Sequence, residues 1–268
     1  MEKMSVVVFV VALGLVGAAA GAGPGNSVSG PGAMPAEADK APVQVRAWGS
    51  FARMQHRKDF EPKVMLKEAV PGKGWYAIGA LADLKGEITV HDGAIFLAHG
   101  KNMDGRISAR EVGDVRATLL AAAKVDAWRE FPVPTAMKQA DLHAFIVERA
   151  RSAGLDVTEA FPFQIHGEIR NYRWHVIAAP NPHFGGHGGN APMAEQFEAG
   201  GERMVADVVG FYSGDKLSGV ISHPGEMFHE HLLDPARTVT GHLDAYDVGS
   251  GAVLSLPASV PAASSGKK

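Results

Sequence analysis

Hydrophobic and polar residues alternate in short runs along most of the chain, and glycine-bearing turns separate these runs. Alternation of this kind predicts β-strands, because successive side chains of a strand face opposite sides of the sheet. The runs occur, in chain order, at residues 43–48, 74–81, 86–93, 94–100, 160–169, 172–179, 204–213, 217–222, 227–233 and 238–248. The pattern therefore predicts a protein built mainly from β-strands.

One segment has helical periodicity. In residues 139–154, Leu142, Phe145 and Ile146 recur at the spacing of one helix face, and Gly154 can end the helix. Runs of strands with one or two helices are typical of an α+β fold, in which the helices pack on mostly antiparallel or mixed sheets. No internal repeat is visible in the sequence.

The two ends of the chain differ in composition from its middle. Residues 1–22 hold one lysine, an apolar run and small residues near Ala20 and Ala22, which predicts a cleaved signal peptide. Residues 23–42 are rich in Gly, Pro, Ser and Ala and predict a flexible linker, and residues 257–268 predict a disordered tail. The folded domain is therefore expected at 43–256, in a soluble protein exported to the periplasm or secreted, with no membrane contact after cleavage.

The charge and the cysteine content of the chain limit which binding partners and which metal ligands are expected. The formal net charge of the 268 residues is −3, without a block of basic residues, so a nucleic-acid partner is not expected. The chain has no cysteine, which excludes disulfides and thiolate ligands. A transition-metal site would have to use histidine, carboxylate or water, and zinc is the leading metal for histidine ligands without thiolates.

Histidines cluster between His223 and His242, which hold four of the twelve in the chain. His229 and His231 would share one face of a strand, with Glu230 on the other face. Asp234 and Pro235 favour a turn, after which the chain returns and brings His242 near the pair. The spacing fits a three-histidine metal site with an open fourth position, and it equally fits surface polarity on a hairpin. His223 precedes Pro224 and is expected in a turn without a functional role.

Several segments resemble the bacterial acetolactate decarboxylase family. A His-x-His pair followed after ten residues by a third histidine is typical of that family. The segments "GWYAIGALADLKGE", "AFPFQIHGEIRNYRWHV" and "VVGFYSGDKLSGV" are similar to family segments and stand in the same order. The resemblance covers nearly all of residues 43–256.

The resemblance implies a function and a set of site residues. His229, His231 and His242 would bind Zn²⁺, and Glu87 of "LKGE" would handle a proton beside the metal. His175 stands where the family has an arginine that holds the substrate carboxylate, and Arg173 lies two residues earlier on the same strand face. The implied enzyme is a carboxy-lyase that converts acetolactate, a small 2-hydroxy-3-oxo acid, to acetoin and CO2 without an organic cofactor. The family likeness also implies a homodimer.

Two departures from the family leave other functions open. The arginine is not matched, and the chain has no glutamate after Glu230, whereas the family uses one near its C-terminus. A zinc-dependent lyase or hydrolase for a different small oxo or hydroxy acid therefore stays an alternative. The second alternative is an exported protein that binds a metal but has no catalytic activity. His183 and His187 lie in a glycine-rich loop that reads as a flexible surface loop or as a mobile rim of the site.

Overall fold

A computed structural model describes residues 43–108, 113–185 and 192–258. Four α-helices lie among these residues: α1 Phe51–Arg57, α2 Leu66–Ala69, α3 Gln139–Ser152 and α4 Gly214–Leu217, and two short 3-10 helices lie at Ala82–Leu84 and Gly100–Asn102. Thirteen strands accompany them: β1 Val45–Trp48, β2 Val64–Met65, β3 Trp75–Leu81, β4 Glu87–His91, β5 Ala94–Ala98, β6 Arg116–Lys124, β7 Trp128–Pro132, β8 Met137–Lys138, β9 Phe161–Pro180, β10 Ala194–Tyr212, β11 Phe228–Leu233, β12 Thr240–Val248 and β13 Val253–Pro257. The predicted α+β class is confirmed, with few helices on extensive sheets.

The strands form two sheets in which every pairing between the described strands is antiparallel. The first sheet has the order β1-β6-β3-β4-β5, with β2 also paired to β6. The second has the order β7-β13-β9-β10-β11-β12-β8. Its strand β12 also pairs with β9, so β9, β10, β11 and β12 close into a ring. This closure brings distant parts of the sequence into register.

The two sheets pack through buried apolar side chains. Tyr76 and Ile78 of β3 share a hydrophobic cluster with Val209 and Phe211 of β10. On its other side, the second sheet packs against α3 through the buried side chains of Leu142, Ile146 and Ala150. Alternate residues of β11 and of the last part of β10, from Ala206 onward, therefore face two different cores, which explains why both faces of these segments are largely buried.

Most predicted strands are confirmed, although the longest ones merge shorter predictions. The runs at 160–169 and 172–179 belong to the single strand β9, which continues through Asn171 at a positive φ of 47°. Strand β10 begins at Ala194, earlier than the predicted 204, because pairing with β9 extends it through a polar stretch. The predicted helix at 139–154 corresponds to α3.

The strand predicted at 217–222 is wrong. This segment contains the end of α4 and a series of turns, and the φ of Gly219 is +70°. Its backbone carbonyls are used by a neighbour, since Phe51 N and Ala52 N donate hydrogen bonds to Val220 O and Gly219 O at the start of α1. Ile221 is buried in the cluster between the sheets, and Leu217 and Val220 pack against it half-buried, so burial rather than strand pairing explains the hydrophobic pattern.

The ends of the chain carry predictions that the structure does not describe. Residues 1–22, 23–42 and the tail from 259 onward lie outside the described residues, as does His187. Within the described part of the chain, no helix has the length and apolar content needed to span a membrane.

Candidate metal centre and adjacent cavity

Strand register places His231, His242 and His175 side by side across the second sheet. His231 of β11 pairs directly with His242 of β12, and His242 pairs on its other side with His175 of β9. His229 lies two residues before His231 and therefore faces the same side of β11. Four imidazoles thus converge where the ring of strands meets the first sheet.

Three of these histidines form a compact donor set. One ring nitrogen from each of His229, His231 and His242 lies within 4.8 Å of the other two. The ring centroids are 5.0 Å apart for His229 and His231, 5.0 Å for His229 and His242, and 5.6 Å for His231 and His242. His231 is fully buried and His229 nearly so. Surface polarity, the alternative left open by the hairpin spacing, does not account for buried imidazoles.

The ring of His229 is fixed by a backbone carbonyl. Its Nδ1 lies 2.8 Å from the oxygen of Ile221, an acceptor, so Nδ1 carries the proton and donates it. The lone pair is then on Nε2. The turns at 217–222, which were predicted as a strand, therefore orient one of the three donors.

The ring of His231 is fixed by a chain of two threonine hydroxyls. The Thr240 hydroxyl donates to Leu232 O at 2.7 Å, and the Thr89 hydroxyl lies 2.8 Å from Thr240 Oγ1. Because the single hydrogen of Thr240 is already donated, Thr89 donates to Thr240 and must accept from His231 Nδ1 at 3.0 Å. This chain places the proton of His231 on Nδ1 and leaves its lone pair on Nε2.

The Nε2 atom of His231 is buried and has no hydrogen-bond partner among the described residues. Glu87 Oε2 lies 3.6 Å away, which is too far for a hydrogen bond. The contact is not an ion pair either, because burial, with the neighbouring His229 and His175 adding to it, lowers the pKa of His231 well below its ordinary value. A buried, unpartnered lone pair is costly in a folded protein unless another group binds it.

Burial keeps the other two donors neutral as well. It lowers the pKa of His229 to about 3, and it lowers the pKa of His242 well below the ordinary value, with repulsion from neighbouring histidines adding to both. Metal ions bind the unprotonated imidazole. Three neutral imidazoles with an orphaned nitrogen therefore fit a divalent transition metal, and the donor chemistry suits zinc.

Glu87 begins strand β4 of the first sheet and faces the histidines from the opposite side. Its side chain is buried, with Oε1 accepting a long hydrogen bond of 3.4 Å from Ile177 N. Burial raises the pKa of Glu87 to about 7, against the opposing attraction of His175. A carboxyl group with a pKa near neutrality can both accept and donate a proton.

His175 is held by Asp244 at a bulge in strand β12. Register shifts between Leu243 and Ala245, so Asp244 is an extra residue, and its Oδ1 lies 2.7 Å from His175 Nδ1. Burial would lower the pKa of His175, but this hydrogen bond and the nearby Glu87 and Asp244 charges outweigh it and raise the pKa. His175 is therefore the imidazole in the cluster that favours the charged form.

A cavity of about 290 Å³ opens beside the donor set. Glu87, His175, His229 and His242 line it, together with apolar residues from both sheets and from α1. His223 also lines the cavity, with its ring 4.1 Å from that of Phe51 and 5.6 Å from that of His242. The prediction that His223 lies in a turn without a role missed this position, because no local pattern shows the contact with Phe51.

Arg173 is not among the described residues that line this cavity. Its side chain is exposed and borders a separate depression with Gln196, Glu198 and Asp244. The bulge at Asp244 turns a carboxylate toward His175, whereas Arg173 remains on the outer surface. His183 is exposed in the loop after β9, close to Phe184 at the cavity wall.

Glu230 faces away from the donor set, into the core beneath α3. The Tyr246 hydroxyl donates to Glu230 Oε1 at 2.5 Å, and His143 Nε2 of α3 lies 3.1 Å from Oε2. This buried carboxylate ties β11 to β12 and to the helix. The strand that carries both His229 and His231 is therefore anchored from behind.

Comparison with known proteins points to one family. The sequence model described as "Alpha-acetolactate decarboxylase" matches residues 59–258. A structure of a Staphylococcus aureus protein of unknown function, described as similar to alpha-acetolactate decarboxylase, has a TM-score of 0.62 at 19% identity, covering 79% of this chain and 84% of that one. Alpha-acetolactate decarboxylase from Bacillus subtilis strain 168 has a TM-score of 0.62 at 17% identity, covering 80% and 85%. The enzyme from Bacillus subtilis subspecies spizizenii has a TM-score of 0.61 at 14% identity, covering the same shares. A comparison with curated protein sequences finds no match.

Proposed function

Because the chain belongs to the alpha-acetolactate decarboxylase family and is a carboxy-lyase, we propose that it decarboxylates a 2-hydroxy-3-oxo acid with the help of a zinc ion. The simplest such reaction converts acetolactate to acetoin and CO2. The observation that supports this most is the set of three neutral histidines, two of them buried and one half-buried, next to a cavity that also contains Glu87 and His175.

Zinc is the proposed ion, and His229, His231 and His242 are the residues that would hold it. When bound, zinc would supply a Lewis acid that polarises the ketone of the substrate and stabilises the negative charge left when CO2 departs. The cavity next to the donor set, lined by His229 and His242, is consistent with a fourth position open to substrate. A metal enclosed by protein on all sides would instead favour the non-catalytic metal-binding alternative.

We propose that Glu87 manages the proton. Loss of CO2 leaves an electron pair on the substrate, and a proton must be delivered to one face of the resulting enolate carbon. Glu87 lines the cavity, lies on the sheet that faces the histidines, and has a pKa near neutrality. Its position on a different sheet from the donors would let it approach the substrate from the other side.

His175 is the proposed partner of the substrate carboxylate. Asp244 engages its Nδ1, so its Nε2 is free to donate toward the cavity that the ring lines. An imidazolium presents one donor, whereas the guanidinium of an arginine binds a carboxylate with two parallel hydrogen bonds. His175 should therefore give weaker but sufficient orientation of the carboxylate.

Substitution of His175 separates it from Arg173 as the carboxylate partner. We expect His175→Gln to raise KM for acetolactate by about tenfold to a hundredfold, the effect of losing one charge-assisted hydrogen bond. Arg173→Gln, on the exposed depression outside the cavity, should change KM by less than about threefold. Steady-state kinetics of both zinc-loaded variants make the comparison, and the reverse order of effects would transfer the role to Arg173.

The threonine chain behind His231 yields a separate prediction about metal affinity. Thr89→Val removes the acceptor of His231 Nδ1 at nearly constant volume, so we expect zinc affinity to fall by about tenfold to a hundredfold. Thr89→Ser keeps the hydroxyl and should retain affinity within about threefold. Competition with a zinc chelator measures both, and equal affinities in the two variants would show that the hydroxyl does not position His231.

Formation of acetoin from acetolactate by the zinc-loaded protein tests the function itself. Turnover only of other small oxo or hydroxy acids would favour the alternative lyase or hydrolase. Absence of turnover with metal fully bound would favour a metal-binding protein.

We also propose that residues 1–22 direct export and that the mature protein acts in the periplasm or outside the cell. The supporting observation is the apolar run followed by small residues in the sequence. Mass spectrometry of the mature N-terminus is the measurement that checks it. Homodimer formation likewise stays a prediction from the family, to be checked by light scattering.

A further inference from the structure

The cavity beside the histidines has two chemically different halves. One half is polar and contains Glu87, His175, Gln196 and the histidines His229 and His242. The other half is apolar, and its walls belong to a hydrophobic cluster of their own. Members of this cluster that line the cavity are Phe51, Met54, Leu84, Leu119, Ile177 and Met193.

Two alanines determine how much free volume lies next to the apolar wall of the cavity. Ala80 of β3 and Ala194 of β10 are both buried members of this cluster, and both line the cavity. A longer side chain at either position would extend into the open volume. Gly79 also lines the cavity, but a Cβ there would lie 2.0 Å from Leu119 O, so sheet packing dictates that glycine.

The cavity as a whole exceeds what acetolactate can fill. A volume of about 290 Å³ corresponds to roughly ten water molecules at about 30 Å³ each. Acetolactate carries its carboxylate, hydroxyl and ketone close together, and its apolar part is two methyl groups. With the oxygens of the substrate directed to the histidines and Glu87, those methyl groups would leave most of the apolar wall without contact.

Charge in the cavity limits the substrate further. Among the described lining residues there is no lysine or arginine. A second anionic group, such as a phosphate or another carboxylate, would therefore lack a cationic partner. The lining suits a monocarboxylate whose remaining bulk is uncharged and apolar.

We propose that the preferred substrates are 2-hydroxy-3-oxo acids in which an apolar chain of three or more carbons, or a benzyl group, replaces the methyl group on carbon 2. This inference rests on the proposed function. The bond between the carboxylate carbon and carbon 2 breaks, its electron pair moves toward the ketone oxygen, and carbon 2 then takes a proton. The products are CO2 and a longer 2-hydroxyketone, with no oxidant or reductant consumed.

A homologous series of substrates tests the inference on the zinc-loaded protein. We expect kcat/KM for 2-hydroxy-2-alkyl-3-oxobutanoic acids to rise by about fourfold per methylene from methyl to butyl, the effect of burying each group. A series that is flat, or highest for methyl, overturns the inference and leaves the proposed function standing. If no member is decarboxylated, the proposed function fails and the inference fails with it.

Filling the cavity should reverse the preference. Ala80→Leu and Ala194→Leu are each expected to lower the ratio of kcat/KM for the butyl substrate to kcat/KM for acetolactate by about tenfold or more. Ala94→Leu, at an exposed position of β5, is the matched control and should leave the series unchanged. If both cavity variants keep the wild-type order of substrates, the alanines do not define the pocket.

Binding of compounds that cannot react gives a readout independent of turnover. The 2-hydroxy-2-alkyl carboxylic acids without the ketone keep the carboxylate, the hydroxyl and the chain, but they cannot lose CO2 by this route. Titration calorimetry of the wild-type protein should give a Kd that falls with chain length and a heat-capacity change that becomes more negative. A Kd independent of chain length would contradict the apolar pocket, even where a cavity variant fails to fold.

Discussion

Replacing His231 with alanine is expected to remove the metal and the activity together. Wild-type protein should contain about one zinc ion per chain, as a single three-histidine site does, whereas His231→Ala should retain less than a tenth of that. The reason is that two remaining imidazoles cannot complete the donor set. Since a Lewis acid contributes several kcal/mol to such a reaction, kcat should fall by at least about a thousandfold.

Two controls separate loss of a ligand from loss of the fold. His231→Gln fills most of the space and can still donate to Thr89, so it should fold while failing to bind zinc. His166→Ala removes an exposed histidine of β9 and should keep both zinc and activity. Zinc should raise the Tm of the wild-type protein and of His166→Ala, but not of the His231 variants. Full zinc content in His231→Ala would refute the site.

Replacing Glu87 with glutamine is expected to stop the chemistry while leaving the metal in place. The variant keeps the shape of the side chain and can still accept the hydrogen bond from Ile177 N, but it cannot exchange a proton. We expect kcat to fall by about a hundredfold to ten-thousandfold, the usual contribution of a positioned acid or base. Zinc content and the affinity for unreactive substrate analogues should change little.

The matched control for this variant is an exposed glutamate of the first sheet region. Glu68→Gln on α2 removes the same charge far from the cavity and should leave kcat unchanged. A Glu87→Gln variant that retains kcat within about threefold of wild type would assign proton delivery to another group or to water. Loss of zinc in this variant would instead make Glu87 part of the metal site.

The site residues that could be predicted from the sequence pattern are those that lie close together along the chain. His229, His231 and His242 lie on one hairpin, so period-two alternation and a short turn were enough to place them together. That spacing alone could not distinguish a metal site from a polar surface, because burial depends on the sheet that packs over the hairpin. The family resemblance supplied Glu87 and His175, which belong to other strands.

What sequence reasoning missed depends on contacts between distant residues. Thr89 and His231 are 142 positions apart, and no local pattern predicts their hydrogen bond. The partnership of His175 with Asp244 requires both the closure of β9 on β12 and a bulge within β12. The apolar run at 217–222 was taken for a strand because buried turns and buried strands share the same composition at short length.

The most direct test of a zinc-dependent decarboxylase is acetoin formation from racemic acetolactate during titration of metal-free protein with zinc. The account predicts almost no acetoin before zinc is added, a linear rise in rate with zinc, and a plateau near one equivalent per chain. Acetoin formation at full rate in the metal-free protein would contradict the role of the metal. No acetoin at saturating zinc, from acetolactate or from its longer homologues, would contradict the proposed function.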